Sequence, residues 1–180
     1  MLRAVAQMIQ ITFQAAFDPF HASFRFLRLL EITKDLGELT IDQARILDFY
    51  LLFPFRSGEI KLIAGHRKYK RVVSDFMHLK PYGELPSSFV LFSRMQTIQV
   101  AALDTLVDNG YLAADKYSHK IIRSTGKVVA PEIALRINEL NAEQSNLVEF
   151  IRVLTSKYPI YGRDGLKSRT GLLEYRYDTI

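Results

Sequence analysis

Apolar residues recur at helical spacing along most of this chain and alternate over only two short stretches, a pattern that predicts a mainly α fold with small β-hairpins. Asp18 ahead of Pro19 marks a helix start, a carboxylate N-cap followed by a proline whose fixed φ suits the first turn. Phe20, Phe24, Leu27 and Leu30, with Phe26, form a stripe, and the helix is expected to reach Thr33. Thr40 begins a second helix in which Ile46, Leu47, Tyr50 and Phe53 share a face, and Pro54 ends it because proline lacks the N–H and disfavours helix before it. Glu59 to Ile63 alternates like a short strand, and Gly65 opens a third helix expected to run to Leu79.

Pro81 to Pro86 is the clearest break. After it a fourth helix carries Ile98, Ala101, Ala102 and Leu106 in phase and closes at Asn109-Gly110, where glycine takes the left-handed cap. Tyr111–Ala114 and His119–Ser124 then read as a β-hairpin turning at Asp115-Lys116. A helix running into a two-stranded wing is the second half of a winged helix, and residues 19–63 offer a similar unit. Winged-helix-like units are therefore expected in two lobes, 1–80 and 87–180, or in one compact unit. Pro131 opens a last helical stretch to about Lys157, broken near Asn141, and the tail reads as an ordered loop with a short helix or strand.

Composition narrows the classes. The 180 residues are 48% hydrophobic and 24% charged, an ordinary balance for one packed domain. No cysteine is present, which removes disulfides, thiolate metal sites and thiol nucleophiles and suits a reducing cytoplasm. No apolar run reaches the ~18–20 residues of a membrane helix. Met1 to Phe13 faintly resembles a signal peptide, but Gln7, Gln10 and Gln14 interrupt it, and it reads as a partly buried helix or an over-long start. The net charge of +5 is spread evenly, 12 basic and 9 acidic groups in residues 1–90 against 12 and 10 in residues 91–180. Such an excess permits nucleic-acid binding without demanding it.

Candidate chemistry is sparse. His21, His66, His78 and His119 never fall three or four residues apart, so no helix face pairs two imidazoles for a metal. Glu59-Ile60-Lys61 has the acid-x-lysine form of a metal-dependent nuclease, but no acid sits on a preceding strand. Gly162 to Ser168 lacks the spacing of a phosphate loop, and no serine lies in a Gly-x-Ser-x-Gly elbow. No catalytic residue, metal or cofactor is expected.

Two surfaces remain. Arg67, Lys68, Lys70 and Arg71 place four cations in five residues, and Lys116, Lys120, Arg123 and Lys127 decorate the hairpin; both clusters suit phosphates or plain solvation. Phe49, Tyr50, Phe53 and Phe55 leave a helix apolar on every side, and a partner surface is the expected cover.

The strings Phe24-Arg25-Phe26-Leu27-Arg28-Leu29-Leu30 and Ile46 to Pro54 resemble the middle component of bacterial ABC three-component systems. Pro81 to Pro86, Arg94 to Gln99 and Gly165 to Leu172 are similar to the same family, so the likeness covers most of residues 18–180. The resemblance implies a non-catalytic adaptor that bridges an SMC/Rad50-like ATPase subunit and an effector nuclease subunit, with Lamassu-type antiphage defence as its setting and DNA met through the complex. A stand-alone winged-helix DNA-binding regulator is the alternative, and a compact nuclease resting on Glu59 and Lys61 is the third.

Overall fold

The computed structural model describes residues 15–174, so the reading of Met1 to Phe13 lies outside the described residues. Helix α1 spans Pro19–Thr33, and Asp18 caps it by accepting from the amides of Phe20 at 2.8 Å and His21 at 3.4 Å. Strand β1, Leu39–Thr40, leads into α2, Ile41–Leu52, whose first turn is capped by Thr40 Oγ1 accepting from Gln43 N at 3.0 Å. Both starts follow from short polar side chains that satisfy orphan amides.

The stretch after Pro54 differs from the expected strand. Pro54–Glu59 is a 3-10 turn, and residues 60–63 are extended but unpaired as a ladder, held by Lys61 N donating to Arg169 O at 3.0 Å. The expected third helix is three short pieces: a 3-10 turn Ala64–Lys70, the single-turn α3 Arg71–Asp75, and a 3-10 turn Met77–Leu79. Only Val72 and Phe76 of this region are buried, too few anchors to hold a continuous helix.

Helix α4, Ser88–Asp108, is the longest element, and Gly110 with φ +76 takes the left-handed position after it. The hairpin is present in minimal form. Ala113 N donates to Arg123 O at 2.9 Å and Thr125 N to Tyr111 O at 3.0 Å, with a one-turn helix α5, Ala114–Ser118, at the tip in place of the expected tight turn. Its strand β2, Ile121–Ile122, pairs antiparallel with β1, Leu39 opposite Ile122, so the only two-stranded sheet among the described residues joins segments far apart in sequence. Helices α6, Pro131–Glu143, and α7, Ser145–Lys157, are separated at Gln144, three residues beyond the expected break. The tail folds as the short α8, Leu166–Thr170. The protein is thus mainly helical with one small antiparallel sheet.

One buried cluster runs through both halves. Phe26 and Leu29 of α1, Ile46 and Phe49 of α2, Phe92 and Leu103 of α4, and Phe150 and Leu154 of α7 belong to it. The break at Pro81 to Pro86 interrupts the chain but not this core. Among the described residues no helix is long and apolar enough to cross a membrane.

The face that α1 buries is not the one its apolar stripe suggests. Ala22, Arg25, Phe26, Leu29, Ile32 and Thr33 are inside, whereas Phe20 is 86% exposed. Two arginines lie on the buried side because they find partners there. Arg25 grips Asp48 of α2 through Nε at 2.6 Å and through its terminal nitrogen at 3.2 Å. Gln99 of α4 donates to the same carboxylate at 2.9 Å and accepts from Arg45 Nε at 3.0 Å, so one polar cluster stitches α1, α2 and α4. Arg28 donates to Asn141 Oδ1 at 2.7 Å, and burial lowers its guanidinium to about 10.

A second clasp is exposed. Arg152 of α7 forks onto both oxygens of Asp35 at 2.7 Å each, which lowers that carboxyl to about 2. A depressed carboxyl pKa contributes stability above its unfolded value near 3.8 and loses it as pH falls toward 2. The Asp35 titration followed by NMR is expected near pH 2, and Arg152→Ala is expected to return it toward 3.8. A midpoint already near 4 in the unaltered chain would refute the clasp.

Candidate interaction surfaces

The apolar run on α2 is covered by the chain itself. Phe49 and Tyr50 are 0% exposed, Phe53 is 1% and Phe55 is 7%. Phe49 meets Tyr50, Phe53 and Phe92 edge-on or tilted at centroid distances of 5.2–5.9 Å. The expectation of a partner surface here is corrected: α1, α4, α7 and the Pro54–Glu59 turn all pack on α2 and leave these rings nothing to offer. A helix apolar on all sides is a central helix, and 180 residues suffice to surround one of twelve.

The first basic cluster lies on the surface, on the 3-10 turn Ala64–Lys70 and the first residue of α3, rather than along one helical face. Arg67, Lys68, Lys70 and Arg71 are all exposed. Lys68 sits over the Tyr69 ring at 5.0 Å, Lys70 reaches Gly58 O at 3.4 Å, and Arg71 reaches Asn146 Oδ1 at 3.2 Å. Tyr69 points inward against Phe150 at 6.0 Å and donates to Glu149 at 3.1 Å. The patch remains a cationic surface, with Glu149 and Asp75 beside it diluting its field.

The hairpin cluster is more occupied. Glu38, in the linker before β1, pairs with Lys116 at 3.1 Å and with Arg123 at 3.4 Å. Lys127 donates to Asn109 O at 2.6 Å and lies over the Tyr111 ring at 4.8 Å. Lys120 is exposed, with φ +64. Two of the four cations therefore share one carboxylate, and Arg123 and Lys127 line the same cleft.

The nuclease triplet has no supporting geometry. Glu59 ends a 3-10 turn, accepts from Arg56 at 3.2 Å and from the Ser88 hydroxyl, and no hairpin holds it. Gly162 to Ser168 closes on itself through Arg169, which donates to Asp164 O at 2.7 Å and Oδ1 at 2.8 Å. A side chain on Gly165 would sit 2.3 Å from Tyr161 O, so glycine there serves a close backbone approach rather than a phosphate. No group of three or more His, Asp or Glu among the described residues is gathered as metal ligands.

One feature escaped the sequence reading. A cleft of about 780 Å³ opens between α1, the hairpin's outgoing strap and α6, with Leu27, Leu30, Tyr111, Val129, Ala134 and Ile137 among its walls. Its signals were present as separate stripes on α1 and α6, but nothing in one sequence shows that the two face each other.

The chain is thus mainly helical, with a closed core and an open cleft between α1 and α6. Residues 11–178 match the family described as ABC-three component (ABC-3C) system Middle Component 5, and the chain belongs to that family. It is thus an accessory component of a three-component system, which implies association with the other components. No curated protein and no solved structure matches it.

Proposed function

We propose that this middle component is a non-catalytic adaptor that joins an SMC/Rad50-like ATPase to a nuclease effector in a Lamassu-type antiphage complex that senses DNA. The observation that carries the reading is the match of residues 11–178 to a middle-component family. The surface chemistry is in keeping with it, since the hairpin cations are largely taken up within the chain.

The order α1, β1, α2, α4, hairpin, with β1 paired to the hairpin strand, supports a further proposal: a winged-helix unit interrupted by residues 53–87. In such a unit α4 would be the helix that enters a DNA groove. Its exposed positions include Ser93, Gln96, Thr97, Asp104 and Asp108, with Arg94 as the lone cation on the helix. Two carboxylates against one guanidinium repel phosphate more than they attract it, which favours a protein-facing winged helix over the DNA-binding regulator.

The test is co-expression with the two other components of its system. The chain is expected to elute with both in fixed stoichiometry and to show neither ATP hydrolysis nor DNA cleavage alone. A monomer that ignores both components, or DNA cleavage by the isolated chain, would overturn the proposal.

A further inference from the structure

We infer that the cleft between α1, the hairpin strap and α6 is a docking groove for one amphipathic helix of another component, received by its uncharged apolar face. The inference rests on the adaptor reading and says where that association is made.

Helix α1 carries two apolar faces. One is in the core; the opposite one is the stripe of Phe20, Phe24, Leu27 and Leu30, which runs from a Phe20 that is 86% exposed into the cleft. Facing it, α6 offers Ala134 and Ile137, and Ile137 is its only buried residue. On the strap between them Val128 is 86% exposed. The apolar surface therefore continues beyond the cleft along a full helix, a linear shape suited to a helix and poorly enclosed for a small molecule. The walls repeat at i and i+3, Leu27 with Leu30 and Ala134 with Ile137, which are the ridges a third helix would fit between.

Charge selects the same occupant. At the rim Lys34 pairs with Glu31 at 2.6 Å and Arg123 with Glu38 at 3.4 Å, and Lys127 donates to a backbone carbonyl. Bringing a nucleic acid here would set phosphates beside Glu31 and Glu38, and a charged peptide face would have to break the Lys34–Glu31 and Arg123–Glu38 pairs. An apolar face is the one that leaves these pairs intact.

The experiment uses the full chain assembled with its two partner components. Ala134→Glu sets a carboxylate on the groove wall and is expected to weaken assembly at least tenfold with the far-UV spectrum unchanged. The chain has no cysteine, so Val128→Cys provides a single thiol at a position 86% exposed, where the fold is not disturbed. Alkylation of V128C is expected to slow at least tenfold in the complex relative to the isolated chain, while a thiol from Lys157→Cys at the end of α7 keeps its rate. Unchanged V128C reactivity in a complex that forms would overturn the groove and leave the adaptor reading standing. Protection already present in the isolated chain, with a co-purified compound released on unfolding, would mark a small-molecule site and also overturn it. A chain that assembles with neither component would overturn both.

Discussion

Phe49→Ala is expected to lower the unfolding free energy by about 3–5 kcal/mol, the range for emptying a phenylalanine site in a closed core. Phe49 is 0% exposed and touches three other rings, so the cavity left behind has aromatic walls that cannot collapse onto one another without moving α2 against α4. Small domains hold only about 5–15 kcal/mol in total, so a chemical denaturation midpoint is expected to drop steeply at unchanged slope. Phe20→Ala is the contrast: at 86% exposed it is expected to shift stability by no more than about 0.5 kcal/mol. A loss under about 1 kcal/mol for Phe49→Ala would show that α2 is not the centre of the fold. Phe49→Asp is expected to abolish assembly only by abolishing the folded chain, and loss of the far-UV helical signal distinguishes that from a damaged interface.

Asp48→Ala is expected to cost as much, roughly 3–5 kcal/mol, for a different reason. The carboxylate is 0% exposed and answers Arg25 with two hydrogen bonds and Gln99 with one. Removing it strands a guanidinium in the interior, whereas removing both partners does not. The double variant Arg25→Met with Asp48→Leu is therefore expected to recover most of the loss. Equal destabilisation by the single and double variants in urea titrations would refute this account. Arg25 also donates to Ala15 O at 2.9 Å, a contact that the double variant loses, so the recovery is expected to be incomplete.

The helices that begin with a strong cap and repeat a clean period were legible from the chain alone: α1 and α2 start within a residue or two of where Asp18 and Thr40 place them, and α4 follows the Pro81 to Pro86 break. Their faces were harder to read. Arg25 and Arg28 look like solvent positions until Asp48 and Asn141 are seen opposite them, and discounting the arginines turned the apparent core stripe of α1 to the wrong side. The strand expected at Glu59 to Ile63 failed because alternation over five residues is equally produced by an extended connector with no neighbour to pair with. Strand β1 was invisible because two residues carry no period, and it exists only because Ile122 lies beside Leu39. The candidate surfaces followed the same divide: exposed cations can be named from sequence, but the pairing of Lys116 and Arg123 with Glu38 depends on the fold.

The placement of α7 against α2 has a consequence for how the chain is made. Leu52 ends α2 and Lys157 ends α7, so 105 residues (157 − 52) must leave the ribosome before the central helix gains the cover of α7. At elongation rates of about 5–20 residues per second that is roughly 5–20 s with the cover of Phe49 and its neighbours incomplete. The nascent chain, rather than the finished subunit, is then the species most in need of a chaperone, and premature termination anywhere in α7 yields a product fit for proteolysis rather than a shortened subunit.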